Sequence, residues 1–253
     1  MDDVAPAQAP LSPVDRIAAV LDWWRAAGVT QAFHDAPQDW LAPPEDKAAP
    51  ARTALPVPEA PPEPPPPPLG GDPARWPTDL PAFAEWWLAE PTLPFTGVRV
   101  PPRGVAGAEL MVLLPMPESE DGTELLSARQ GRLVNGIARA LTVAEDRLYI
   151  ASALPCHQAL PDWGALREAG LDAVLQHLVT LARPRRLLVL GAGDILPLLG
   201  HDPAQATPGI HPLSAVGVDK PVLASFAPDA LLARWQLRAQ LWRALLDWTD
   251  GDA

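Results

Sequence analysis

The chain has 253 residues, of which 48% are hydrophobic, so it is long and apolar enough to build one or two domains with a core. Its single cysteine, Cys156, excludes an intrachain disulfide and any four-cysteine metal or iron–sulfur site built from this chain alone, and we expect no metal and no cofactor. The formal net charge of -12 argues against tight, non-specific binding to DNA phosphates, and no apolar run approaches the ~20 residues that a membrane span needs.

The first predicted element is a helix at residues 13–27, within an N-terminal helical segment at residues 1–40. Its apolar residues recur every three or four positions, Ser12 is a suitable N-cap, and Gly28 is a suitable stop. This stretch, from Ser12 to Val29, is where we expect a protein partner to bind. The chain begins with acidic residues and without an apolar segment, which is unlike a secretory signal, so the expected location is the cytoplasm.

Residues 41–76 are predicted to form a flexible linker. Proline and alanine dominate this stretch, and residues 64–68 are an unbroken proline run. Proline removes a backbone donor and fixes φ, so the segment favours polyproline II or disorder over helix or central strand. A spacer is the favoured interpretation, although such runs also bind SH3-like partners.

The remaining residues, 77–253, predict one α/β domain. After a helix at residues 80–88, short apolar strands alternate with helices. Strands are predicted at residues 108–114, 147–153 and 186–190, with a short fourth within 218–226, and helices at 130–141, 163–182, 195–199 and 229–248. Such alternation is typical of a parallel sheet that is covered on both faces. The expected fold is therefore a three-layer α/β/α sandwich with a short, mostly parallel sheet.

Several local sequences in this order resemble the family 4 uracil-DNA glycosylases. Residues 149–155 (YIASALP) resemble the family's strand "YITNVLP", and residues 182–191 (ARPRRLLVLG) resemble its "(L)RPRLLVLLG". Residues 225–232 (SFAPDALL), with Trp242 and Leu245 after them, resemble "TYHPAYLLR…W.DL". The N-terminal helix and the proline-rich spacer are similar to an extension of some bacterial members. The resemblance implies the glycosylase sheet for residues 109–248 and, in an intact member, excision of uracil from DNA.

The residues that would carry this chemistry in the family are replaced here. The chemistry needs a flipped base, a pocket and donors for developing charge. Ser152 stands where the family has its uracil-reading asparagine, and Ala227 stands where it has a histidine before proline. Of the iron–sulfur cysteines, at most Cys156 remains. The glycine-rich "GEAPG" loop and the stacking phenylalanine are replaced by Pro115, Met116, Pro117 and Glu118, and by Leu125.

Three carboxylates, Glu118, Glu120 and Asp121, are the weak catalytic candidates that the loop after the first strand offers. They could orient a water molecule, but solvated loop carboxylates are the commoner case. Cys156 beside His157 is interpreted as a structural thiol, because sequence neighbours rarely face each other. His211 before Pro212 is interpreted as a turn.

Three functions follow from these observations. The favoured one is a divergent, inactive member of the uracil-DNA glycosylase superfamily that acts as a DNA-repair or replication scaffold and binds DNA weakly or not at all. The second is a non-catalytic subunit similar to psi of the DNA polymerase III clamp loader, since residues 139–146 and 27–31 resemble stretches of psi. The third is an active glycosylase with a relocated, cluster-free site, which the simultaneous losses disfavour.

Overall fold

The computed structural model describes residues 12–29, 67–93, 95–212 and 222–250. The chain divides into two compact units, Met1–Pro62 and Glu63–Ala253. In the first unit, helix α1 (Pro13–Ala26) begins at Ser12, whose side chain accepts a hydrogen bond from the Asp15 N–H at 3.2 Å. Gly28 follows the helix with φ of 84°. The predicted helix and both of its end signals are confirmed.

The second unit is built on a five-stranded, mostly parallel sheet with strand order β2-β1-β3-β5-β4. Only β4, at the edge, runs antiparallel to its neighbour. The strands are β1 (Leu110–Leu114), β2 (Leu148–Ser152), β3 (Leu187–Leu190), β4 (Gly209–His211) and β5 (Val222–Ser225). The four parallel strands confirm the sequence prediction. The turn predicted at His211 is wrong, because His211 ends β4 and pairs with Val222.

Seven helices of the described residues belong to this unit. They are α2 (Leu80–Ala89), α3 (Arg129–Ala140), α4 (Trp163–Glu168), α5 (Leu171–Ala182), α6 (Ala192–Ile195), α7 (Pro228–Ala233) and α8 (Trp235–Asp250). Two predicted long helices are each broken in two. Gly170, with φ of 100°, separates α4 from α5, and Arg234, in an extended conformation, separates α7 from α8. A left-handed glycine ends a helix readily, so the first break has a local cause.

Two hydrophobic clusters flank the sheet because successive strand residues point to opposite faces. Met111 and Val189 pack on one side with residues of α2 and α5. Val112 and Leu188 pack on the other with residues of α3 and α8. The parallel strands are buried along their whole length, which explains why they appear in the sequence as continuous apolar runs. The chain is therefore a mixed α/β protein, compatible with an α/β/α layout.

The predicted linker, residues 41–76, lies outside the described residues as far as residue 66, as does the end of the predicted N-terminal segment. Its last part is folded: Leu69 is buried in the core, and the Trp76 indole N–H donates to the Gly70 carbonyl at 2.6 Å. The linker boundary at 76 is wrong because these two apolar residues anchor the chain to the sheet unit. Among the described residues, no helix has the length and apolar character needed to cross a bilayer.

Candidate functional site

The parallel strands bring four loops to one edge of the sheet. Residues 115–118 follow β1, residues 153–157 follow β2, residues 191–194 follow β3 and residues 226–228 follow β5. In open α/β sheets, ligands bind at this carboxyl edge, where the strand order reverses. Here β1 lies between β2 and β3, so the reversal lies between β1 and β3. This edge is the candidate site.

Pro115 and Gly191 lie close together in the crevice between β1 and β3. Pro115 is buried, and a methyl group added to Gly191 would lie 2.7 Å from the Pro115 Cγ atom. Gly191 has φ of 121°, a backbone conformation that residues other than glycine rarely adopt. The Pro115 carbonyl also accepts a hydrogen bond from the Leu154 N–H at 3.0 Å. Gly191 and Pro115 are therefore in close contact, and this point of the β1–β3 crevice has no room for a methyl group on Gly191.

The residues that the resemblance aligns with the family's base-reading groups have structural partners. Ser152 is buried, and its hydroxyl donates to the Leu154 carbonyl at 2.7 Å. Ala227 precedes α7, and its carbonyl accepts from the Leu231 N–H at 3.1 Å. Leu125 is fully buried in the core beside α3 and α8. None of these three side chains offers a hydrogen bond or a stacking surface to a ligand.

Two further residues of the predicted pocket also pack into the protein. Met116 is half-buried against the cluster that contains α2 and α5 residues. Pro117 is buried, and its carbonyl oxygen lies 3.1 Å from Nδ1 of His157. As prolines, Pro115 and Pro117 have no N–H with which to bind an anion. The packing of the loop after β1 therefore directs these side chains into the protein, and its two prolines offer no N–H to a ligand.

Asp121 organises the acidic loop after β1. Its carboxylate accepts hydrogen bonds from the N–H groups of Glu118 and Leu126, both at 2.9 Å. It also accepts from the N–H and the hydroxyl of Ser127, at 2.8 and 2.7 Å. With four donors and a buried position, this carboxylate holds the loop in shape. It is not a free base.

Glu118 performs a similar task at the start of α3. Its carboxylate accepts from the N–H groups of Ala128 at 3.2 Å and Gln130 at 2.9 Å, which satisfies donors that the helix start leaves open. Glu118 is buried, so the solvated-carboxylate interpretation is wrong for it and for Asp121. The solvated-carboxylate interpretation holds for Glu120, which is exposed and accepts a hydrogen bond from the Ser119 hydroxyl at 2.8 Å.

A cleft of about 250 Å³ opens beside these carboxylates, between the start of α3 and α7. Gln130 spans its wall, donating through Nε2 to the Asp229 carboxylate at 3.1 Å. Three carboxylates and one guanidinium line it, from Glu118, Glu120, Asp229 and Arg129. The electrostatic potential of this cleft is therefore negative, which repels a phosphate backbone.

Cys156 and His157 do not form a catalytic pair. The Cys156 thiol is buried, and its sulfur lies 3.6 Å from the Thr96 carbonyl. The His157 ring instead meets the Pro117 carbonyl. The structural interpretation of the thiol agrees with these contacts.

Burial shifts the pKa values of three titratable groups that were not singled out from the sequence. Burial raises the pKa of Asp194, which follows β3 at the candidate edge. Burial, and the nearby His211 ring at 5.5 Å between centroids, lower the pKa of His201. Burial raises the pKa of Tyr149. Each shift depends on burial, which residue type alone does not reveal.

The described residues contain no group of three or more histidine, cysteine, aspartate or glutamate side chains arranged to hold a metal ion. No known protein-family model matches the chain, and no curated protein matches it significantly in sequence. The candidate site is therefore interpreted from its own geometry.

Proposed function

We propose that the chain is a divergent relative of the uracil-DNA glycosylases that lacks their activity and serves as a scaffold in DNA repair or replication. The glycosylase-like form of the α/β fold is part of this proposal. The observation that carries it is the closed crevice at the candidate edge, where Pro115 packs against Gly191. A flipped pyrimidine needs space at the site where the enzyme acts on it.

The available donors also support the loss of activity. Glycosidic-bond cleavage develops charge on the base, and an enzyme stabilises it with preorganised hydrogen-bond donors. The Ser152 hydroxyl is already committed to the Leu154 carbonyl, and Ala227 has no side-chain donor. An asparagine amide would offer two donors and an acceptor at the first position, and a histidine would offer a ring N–H at the second.

The charge of the edge supports a scaffold role over DNA binding. The cleft beside Glu118 is lined by more carboxylates than cations, and the net charge of residues 77–253 is negative. Neutralising DNA phosphates needs clustered lysine or arginine. A protein ligand has no such requirement.

A uracil-release assay tests the proposal. The purified full-length chain is incubated with a single-stranded oligonucleotide containing one uracil, and abasic sites are cleaved with alkali and counted. An active uracil-DNA glycosylase run alongside shows that the substrate is competent. We expect no release above the background without protein. Release at an ordinary enzymatic rate would overturn the proposal and favour an active glycosylase with a relocated site.

A psi-like clamp-loader subunit is the second candidate, because of the surface of α1. Its large apolar side chains are exposed, among them Ile17, Leu21 and Trp24, as a helix that docks in a partner groove requires. Co-purification with clamp-loader subunits that depends on residues 1–40 would support it. Loss of that binding after changes in the sheet unit alone would argue against it.

A further inference from the structure

Helix α3 has an exposed face on which every charged side chain is basic. Arg129, Arg132 and Arg139 are exposed, and the helix contains no aspartate or glutamate. Residues three or four positions apart are neighbours on a helix surface, so Arg132, Asn135 and Arg139 lie side by side. We name these three residues the basic face. It contrasts with the net charge of the chain, which is -12.

A groove of about 400 Å³ lies beside the basic face. The basic face lines it together with Val143 and Leu148, which are each 5% exposed and belong to the same core cluster as the buried residues of α3. Leu148 is the first residue of β2, so the groove is at the amino end of this strand, away from the candidate edge. It therefore combines cationic side chains with an apolar floor, on a surface that the candidate site does not use.

The two guanidinium groups of the basic face are unpaired. Neither Arg132 nor Arg139 forms an ion pair with another described residue, and Glu145, which also lines the groove, pairs with neither. Elsewhere in the same unit, Arg103 and Arg147 each pair with a glutamate. The negative end of the helix dipole accounts for a cation in the last turn, where Arg139 lies, but not for Arg132 about two turns earlier. Both cations are therefore available to a ligand.

We propose that the basic face and its groove bind an acidic segment of a partner protein. The two cations are seven residues apart on α3, which corresponds to about 10 Å along the helix. Carboxylates of a second helix have this separation when they are seven residues apart, and those of an extended segment have it when they are three residues apart. An arginine binds a carboxylate through two parallel hydrogen bonds, so each pair is specific in geometry as well as in charge.

The charges of the chain also distinguish this partner from a nucleic acid. Tight binding to a duplex requires neutralisation of several phosphates, whereas the basic face supplies two cations. The net charge of residues 77–253 is negative, so a long phosphate backbone would be repelled beyond the groove. The inference rests on the proposed scaffold function for the role of the ligand. Because the groove is separate from the candidate edge, peptide binding and uracil release can each be present or absent without the other.

Fluorescence anisotropy with the full-length chain tests the groove. The probe is a fluorescein-labelled peptide of glutamate–glutamate–leucine repeats, in which glutamates occur both three and seven residues apart, and a glutamine version is the neutral comparison. The chain, titrated to about 200 µM, should bind the acidic peptide and not the neutral one. Arg132→Glu combined with Arg139→Glu should raise the dissociation constant about tenfold or more, because like charges then face each other across the contact.

The matched control is Arg75→Glu combined with Arg183→Glu, which lowers the net charge by the same amount. Both arginines are exposed and adjoin Trp76 and α5 on the other side of the sheet, so the affinity should stay within about twofold of the wild type. Far-UV circular dichroism of both double variants should match that of the wild type, because glutamate and arginine have similar helix propensities.

A wild type that does not bind the acidic peptide would overturn the proposal, as would equal weakening by the two double variants. A labelled oligothymidylate that binds more tightly than the peptide, and is lost in the α3 double variant, would also overturn it and would assign the groove to single-stranded nucleic acid.

Discussion

The hydroxyl of Tyr149 is buried without a hydrogen-bond partner among the described residues. Its residue is 1% exposed and belongs to the core cluster on the α2 and α5 side of the sheet. Burying a hydroxyl without a hydrogen bond costs about 1–3 kcal/mol relative to water. Tyr149→Phe removes this cost and keeps the ring, so we expect the free energy of unfolding to rise by about 1–2 kcal/mol.

The expected gain is large enough to measure. For a unit of this size, 1 kcal/mol corresponds to about 2–4 °C in Tm. Urea unfolding followed by far-UV circular dichroism should show a higher midpoint with an unchanged slope, which indicates a change in stability alone. The matched control is Ser152→Ala, which removes a buried hydroxyl that does have a partner, the Leu154 carbonyl at 2.7 Å. That variant should lose about 1 kcal/mol.

The same buried hydroxyl should make the folded protein less stable at alkaline pH. Burial raises the pKa of Tyr149 above the ordinary value of 10.0, so above about pH 10 the unfolded chain releases this proton and the folded chain keeps it. Stability should fall as pH rises beyond that value, and this component should be absent in Tyr149→Phe. Tyr149 is the only tyrosine, so ultraviolet difference absorbance reports its ionisation directly. A less stable Tyr149→Phe, or ionisation of the native protein near pH 10, would refute the reasoning.

Three further predictions concern Gly191, Asp121 and His201. Gly191→Ala should lower the free energy of unfolding by about 2 kcal/mol or more, because the new methyl group meets Pro115 and the backbone has a positive φ. Adding Pro115→Ala should recover part of this loss in the same urea assay. A Gly191→Ala variant with unchanged stability would show that the crevice is open. Asp121→Ala should lower the free energy of unfolding by about 2–4 kcal/mol, because it leaves the N–H groups of Glu118, Leu126 and Ser127 without their acceptor. The control Glu120→Ala should change it by no more than about 0.5 kcal/mol. The pKa of His201 is lowered from 6.5, so the unfolded chain gains a proton before the folded chain does as pH falls below that value. The free energy of unfolding should therefore decline below pH 6.5, and His201→Phe should reduce this decline. The same pH profile in His201→Phe and the wild type would contradict the role given to His201.

The elements that could be predicted are those whose signal is local. Ser12 and Gly28 mark the ends of α1 through their own backbone preferences. The parallel strands are continuous apolar runs because the sheet is covered on both faces. The edge strand β4 could not be predicted, since its three residues are too few to show a period and it depends on pairing with β5.

The candidate site divides in the same way. That Ser152 and Ala227 differ from the family's asparagine and histidine depends on residue type alone, so the sequence shows it once the resemblance is drawn. The roles of Glu118 and Asp121 are not visible in the sequence, because residue type does not tell whether a loop carboxylate faces water or backbone N–H groups. Their hydrogen bonds to residues 126–130 depend on how the loop after β1 returns to α3.

By itself, the sequence determined the α/β class, the position of its parallel strands and the side-chain chemistry at Ser152 and Ala227, since hydrophobic period and residue type belong to the residues themselves. Only the tertiary structure decided that Pro115 closes the crevice on Gly191. It also decided that Leu241 and Leu245 of α8 are buried whereas Trp235 and Leu246 of the same helix are exposed. Both outcomes depend on distances between segments far apart in the chain, and these distances exist only once the sheet and its covering helices have packed together.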